Sequence, residues 1–360
     1  MQNSNLTYKQ AIILIILFIS GSSTILTPGI EAKKDVWLAI LLAMIFALPI
    51  LLIFERFLYL FPDKDLFDIL QIIFGKVLGK FFSILYIWFS FHLGTLVICN
   101  FAYFIDIVSL DNTPLIILTL FIAIICIEAV TFGIEIIGRW GEFAVVFLII
   151  SISIPVILLI KDMNINNLMP ILYDGFTPVL KGAFSVFSFP FAELVIFTMV
   201  FTSFKEKESP KIYRIGLFLG GILLLITSLS DILILGADIA EIDYFPAYTT
   251  VRRIKLGTFI ERIEILISMM FLIGGITKIS ICLLAASKGV TKLFGFKEYR
   301  FIVTPIGITM SILSTFIYKS IMEMSTWALK VWPYYAFIFQ AILPVIFFIA
   351  AEIYVRFKKA

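Results

Sequence analysis

The sequence predicts an all-α integral membrane protein of ten transmembrane helices, arranged as two five-helix repeats inserted in opposite senses. Three observations carry this. The 360 residues are 61% hydrophobic, with a mean hydropathy of +1.08, far above the range of soluble domains. The 15% of residues that are charged fall mainly between long apolar runs, and each run reaches the ~20 residues needed to cross a bilayer. Two of the runs are interrupted near their midpoints, and they lie half a chain apart.

The spans fall at roughly 9–30, 36–60, 81–106, 114–132, 138–160, 180–203, 212–236, 263–286, 300–318 and 333–356. No soluble domain fits between them, so residues 1–360 are expected to form one transmembrane domain, with repeats at approximately 9–160 and 180–356. The first run follows a short polar segment and lacks a small-residue cleavage site, so it is expected to be span 1 and not a signal peptide. The longest connection, 237–262, holds Pro246 and the basic stretch Arg252-Arg253-Ile254-Lys255. It is expected to include a helix lying on the membrane surface. If the N-terminus is cytoplasmic, 17 Lys/Arg residues fall on the inner side and 10 on the outer. The positive-inside rule therefore places both termini in the cytoplasm.

The interrupted spans are 1 and 6. In span 1, Gly21, Ser22, Ser23 and Thr24 break the run AIILIILFIS-GSST-ILTPG; in span 6, Pro190 interrupts LKGAFSVFS-FPFAE-LVIFTMVF and Glu193 follows. Unwound backbone cannot face lipid, so it lines a cavity or binds something. Discontinuous segments at matching positions in two halves point to a midplane ligand site. An odd number of spans per half inverts the second half relative to the first. That is the amino acid–polyamine–cation permease, or LeuT-like, plan.

The candidate ligand-binding residues follow from these breaks. Free N–H groups at Gly21, Ser22, Ser23 and Thr24 would suit a carboxylate at the positive end of a half-helix. Carbonyls near Ser188 and Phe189 would suit an ammonium, so the two sides together match an amino-acid zwitterion. Glu193 has no charged neighbour between Lys181 and Lys205, which puts it ~18 Å along a helix from either. An ionisable residue at that depth is costly. It is expected to be protonated on a backbone carbonyl, or else to brace the break or contact ligand. Lys278, in span 8, is too far from Lys288 for snorkelling to bring it to the surface. It could stand in for a coupling ion, or be held by carbonyls without a coupling role. Thr277 beside it and His92 in span 3 are further candidates, with simple packing the alternative for His92. Asp231 and Asn100 are expected to join helices.

Other chemistry finds little support. A single histidine does not make a metal site, and no Ser–His pair or phosphate-binding loop is present, so catalytic residues, cofactors and metals are not expected. Nor is nucleic acid a partner, since the basic residues flank spans. Cys99, Cys126 and Cys282 each lie inside an apolar run and are expected to be free, buried thiols.

Three stretches resemble the B-subunit family of endospore germinant receptors, the GerAB-like spore germination permeases. They are GIEIIGRWGEF at 133–143, NLMPILYDGFTPVLKGA at 167–183 and YFPAYTTVRRIKLGTFIERIE at 244–264, the last being the most specific. The resemblance covers essentially the whole chain. It implies a nutrient sensor of the spore inner membrane that binds a small amino acid or similar molecule. It also implies two partners, an A-type membrane subunit and a C-type lipoprotein. The permease ligand-binding pattern carries over to Gly21, Ser22, Ser23, Phe189 and Glu193, while Pro190 departs from the small residue many transporters have nearby. A proton-coupled amino-acid transporter of the same fold is the alternative. On the sensor reading, the segment around Phe245, Pro246 and Tyr248, with Arg252, Arg253, Lys255 and Arg262 beside Glu261 and Glu264, forms a lid above the pocket.

Overall fold

The computed structural model describes residues 6–110, 112–202, 204, 211–254 and 262–359, and all regular structure among them is helical. Span 1 is α1 (Tyr8–Leu26). It opens on a capping box: Gln10 N donates to Thr7 Oγ1 at 3.2 Å and Thr7 N donates to Gln10 Oε1 at 3.1 Å. The two bonds satisfy donors that a helix start otherwise leaves unpaired. A tight turn, Ile30–Asp35, leads into α2 (Val36–Leu60). Then come α3 (Leu66–Val108), α4 (Leu115–Phe132) and α5 (Ile134–Leu159). At 43 residues, α3 is about twice the length needed to cross the ~30 Å hydrocarbon layer. Gly75, at φ +74°, turns the first part of α3 away from the rest, in a conformation that residues with a Cβ rarely adopt.

Span 6 starts as α6 (Phe176–Val186), widens into a π-turn at Phe187–Phe191 and tightens to a 3₁₀ helix over Ala192–Met199. Phe189 inside it is extended, at φ −145° and ψ 109°. The interruption expected at Pro190 is therefore present. Pro190 has no N–H to offer and its ring excludes an α-helical residue before it. Span 7 is α7 (Ile212–Leu235), followed by the short α8 (Ala237–Ile242) and α9 (Pro246–Arg252). Span 8 is α10 (Glu264–Phe294) and span 9 is α11 (Arg300–Phe316). A bend of 103° separates α11 from α12 (Ile321–Lys330). Span 10 runs through α13 (Trp332–Phe337), a second π-turn at Ile338–Ile342, and α14 (Leu343–Lys359). Among the described residues, nine helices are long and apolar enough to cross a membrane, and α11 with α12 makes the tenth. The chain is a multi-pass membrane protein.

Spans 1 and 6 are the inner pair. The most apolar stretch of α1 is 83% buried and that of span 6 is 72% buried, against 33% for α2 and for α5. Ile45, Phe121, Phe143, Phe218 and Phe316 face outward, as a surface solvated by lipid requires. The three cysteines are free and buried, as expected.

One expectation needs correction. Span 1 is not unwound at Gly21–Thr24: α1 stays helical through Leu26. Ser23 and Thr24 turn their hydroxyls back onto the carbonyls of Ile19 and Ser20, which satisfies both hydroxyls inside a helix that such bonds can bend but here do not break. The chain leaves the helix later, where Thr27 takes a left-handed conformation before Pro28 and Gly29. In the 237–262 connection, helix α9 docks on the bundle. Phe245, Pro246, Ala247, Thr250 and Val251 are buried, and the Phe245 ring meets Phe104 edge-on at 5.0 Å. Arg252 and Arg253 stay exposed, while Lys255 and Glu261 lie outside the described residues.

Polar clasps join the helices at both ends. At the end opposite the termini, Asp231 Oδ2 accepts from Thr27 Oγ1 at 2.8 Å and Oδ1 from Thr250 Oγ1 at 2.7 Å. One carboxylate thus ties the end of α1 and the docked α9 to α7. At the end carrying the termini, Lys292 Nζ lies 2.6 Å from both Asp65 and Asp68, and Lys288 Nζ donates to the Val200 carbonyl just past span 6 at 3.1 Å. Glu55–Arg214, at 2.8 Å, and Arg56–Glu352, at 2.7 Å, flank them.

Candidate functional site

The close approach of α1 and α10 sets the site. A Cβ added at Gly21 would lie 2.6 Å from the carbonyl carbon of Gly274, and one added at Gly274 would lie 2.3 Å from Gly21 Cα. The two backbones therefore touch, which only residues without a side chain permit. Lys278 follows Gly274 by one helical turn on the same face. The contact brings its ammonium against α1, where Nζ donates to Ser22 Oγ at 3.1 Å.

Glu193 reaches the same ammonium from span 6. Its Oε2 lies 2.5 Å from Lys278 Nζ, and both side chains are fully buried. Two aromatic rings flank the ammonium, Phe189 with its centroid at 4.6 Å and Phe18 at 4.9 Å, which adds cation–π attraction. Spans 1, 6 and 8 thus meet at one ion pair in the middle of the bundle. Removing one member of such a pair typically costs ~3–5 kcal/mol, because the other is left as an uncompensated buried charge. Glu193 Oε1 is buried without a hydrogen-bond partner, so the site keeps an unused acceptor.

The break in span 6 is held from the other side by span 10. Gln340, in the second π-turn, donates its amide to the Ser188 carbonyl at 2.8 Å, and Ser188 Oγ donates to the Pro333 carbonyl at 3.3 Å. Tyr86 of α3 donates to the Phe339 carbonyl at 2.8 Å. Both widened turns therefore have side-chain partners for backbone carbonyls, and π-turns of this kind are frequent at functional sites.

Of the residues expected at the site, Ser22, Phe189, Glu193 and Lys278 come together around one ammonium. Gly21 is present as a packing contact, not as a donor of free N–H groups. Ser188 is spent on span 10. Ser23, Thr24 and Thr277 bond to carbonyls of their own helices. His92 shares a 3.2 Å hydrogen bond with the Tyr335 hydroxyl and stacks on Trp88 at 5.3 Å, within an aromatic cluster that includes Trp327. Glu193 is not alone, as its isolation along the chain implied, and Lys278 is not held by carbonyls. The pairing partner of each lies 85 residues away. Phe18, Gly274 and Gln340 were not anticipated. Gln340 left a signal, as an amide inside the apolar run of span 10. Phe18 left none among 38 phenylalanines. Among the described residues no cluster of potential metal ligands occurs.

Comparison with known proteins places the fold and the family. Over 91% of this chain and 77% of the other, the fold matches Mhp1, a nucleobase-cation-symport-1 family transporter solved in a closed conformation with bromovinylhydantoin bound. The TM-score is 0.65 at 13% sequence identity. Spore germination protein KB of Bacillus subtilis (strain 168) is 29% identical over 356 residues, covering 98% of this chain and 95% of that protein. Spore germination protein YndE of the same organism is 25% identical over 300 residues, covering 81% and 82%. The profile of the spore germination protein family matches residues 5–324. The chain is a non-enzymatic membrane protein of transporter-like fold and belongs to the spore germination protein family.

Proposed function

We propose that the protein is the nutrient-sensing membrane subunit of a spore germination receptor, binding a small amino acid or similar molecule between spans 1, 6 and 8. One observation carries this reading. A fully buried acid, base and hydroxyl converge where span 6 is interrupted, and buried ionisable groups inside a membrane bundle mark functional sites. Family membership supplies the germination context. On this reading the subunit resides in the spore inner membrane with both termini cytoplasmic, beside an A-type membrane subunit and a C-type lipoprotein.

The reading is tested with spores whose only germinant receptor contains this chain, exposed to single amino acids. Germination by at least one, lost on deletion of the chain, is expected. A second reading, proton-coupled amino-acid transport, draws on the same titratable pair in a transporter fold. It takes over if the isolated subunit moves labelled amino acid into liposomes at ordinary transporter rates.

A further inference from the structure

We infer that the Glu193–Lys278 pair is a latch opened by exchange. A zwitterionic ligand gives its ammonium to Glu193 and its carboxylate to Lys278, and molecules with one charge or none cannot open it. This deepens the proposed sensing role and rests on it.

The argument starts from what the pair joins. Glu193 sits on the short 3₁₀ segment of span 6, Lys278 on α10, and Ser22 on α1. While Lys278 holds both Glu193 and Ser22, the three helices are fastened at one point. Both charged side chains have 0% exposure, so bulk solvent does not reach either charge. An incoming anion rehouses Lys278 but strands Glu193. A cation does the reverse, and a neutral sugar supplies neither countercharge. Each of these outcomes leaves a bare charge in low dielectric, which is strongly unfavourable. Only a molecule bearing both charges exchanges one complete pair for two.

Three details fit such an exchange. Glu193 Oε1 is buried and unpartnered, and a ligand ammonium has donors for both carboxylate oxygens, whereas the present bond uses one. Phe189 and Phe18 lie against the Lys278 ammonium, and their faces would remain available to a ligand ammonium that takes its place on Glu193, by the same cation–π attraction. Finally, Glu193 hangs on the side of span 6 where the α-helical ladder has already been given up. Movement of that segment therefore need not break an intact α-helix. Exchange therefore releases span 6 from spans 1 and 8, which turns occupancy into movement.

The test uses the purified full-length chain in nanodiscs and reads its thermal unfolding midpoint, which rises with any ligand of the folded state. The probes are the twenty common amino acids, with propionate, ethylamine and glucose as the anion, cation and neutral comparisons. The latch predicts that at least one zwitterion raises the midpoint and that the three comparison compounds do not at equal concentration. In the double variant Glu193→Gln/Lys278→Gln, which keeps hydrogen-bonding groups but no charge, the half-saturating zwitterion concentration should rise at least ~10-fold, a loss of ~1.4 kcal/mol. The latch is overturned if propionate, ethylamine or glucose stabilises the chain as well as any amino acid does, if no amino acid stabilises it, or if the uncharged double variant binds like wild type. Parallel spore assays separate the two claims. Germination triggered by glucose alone would sink the latch and leave nutrient sensing standing. The absence of any chain-dependent response to nutrients would remove the sensing role itself.

Discussion

Gly21 and Gly274 touch backbone to backbone, and this contact positions Lys278 against Ser22 one turn further along. Substitution at Gly21 therefore acts through packing. Gly21→Ala is expected to cost ~1–3 kcal/mol by forcing α1 and α10 apart, and Gly21→Leu more. Thermal unfolding of the purified variants measures it. Unchanged stability in Gly21→Leu would show that the two helices do not meet here.

The ion pair predicts an ordered series. Glu193→Gln keeps one neutral acceptor for Lys278, whereas Glu193→Ala removes it and adds a cavity, so Ala is expected to be the more damaging change. Lys278→Met strands Glu193 and should cost ~3–5 kcal/mol. Combined with Glu193→Gln it should cost less than the sum of the two, with a coupling of ~0.5–3 kcal/mol in a double-mutant cycle. Additive losses would mean the side chains do not interact.

Because a fixed ammonium occupies the space between spans 1 and 8, ligand-induced stabilisation should be equal in sodium and choline buffers. A midpoint shift that grows steeply with sodium would contradict this role for Lys278.

At the end opposite the termini, Asp231→Ala deprives the Thr27 and Thr250 hydroxyls of their acceptor. A loss of ~1–3 kcal/mol is expected. Faster hydrogen exchange over 246–252 should accompany it as α9 loosens. Protection that is unchanged in this variant would mean that α9 is held by its apolar face alone.

Gln340→Leu leaves the Ser188 carbonyl unpaired next to the break. It should destabilise the fold by ~1–3 kcal/mol and weaken ligand binding, while Gln340→Glu, which lacks the amide donor, should not rescue it. Full ligand binding in Gln340→Leu would detach span 10 from the site.

The bundle was legible because crossing a bilayer is a one-dimensional requirement. Ten apolar runs of sufficient length define ten spans, and Pro190 marked the span 6 break by its missing donor. The Gly-Ser-Ser-Thr stretch misled because the same hydroxyls that can free a backbone can also cap their own helix, and rotamer choice is not written in the sequence. Glu193 and Lys278 each stood out by depth, yet their partnership was invisible because it depends on the register of three helices. The Gly274-Gly275 pair in α10 held part of that information. What it lacked was the matching glycine on α1 at the right height, which only the packed structure supplies.

The two polar clasps bracket the buried pair along the bundle axis, Asp231 with its two hydroxyls at one end and Lys288 and Lys292 with Asp65 and Asp68 at the other. Their consequence is kinetic. If ligand binds at the buried pair as proposed and enters past one clasp, its entry rate is governed by how often that clasp opens. The observed rate of association should then level off at high ligand concentration, at the opening frequency itself. Weakening either clasp should raise that ceiling without altering the chemistry of recognition, which would assign reaction time and selectivity to different residues.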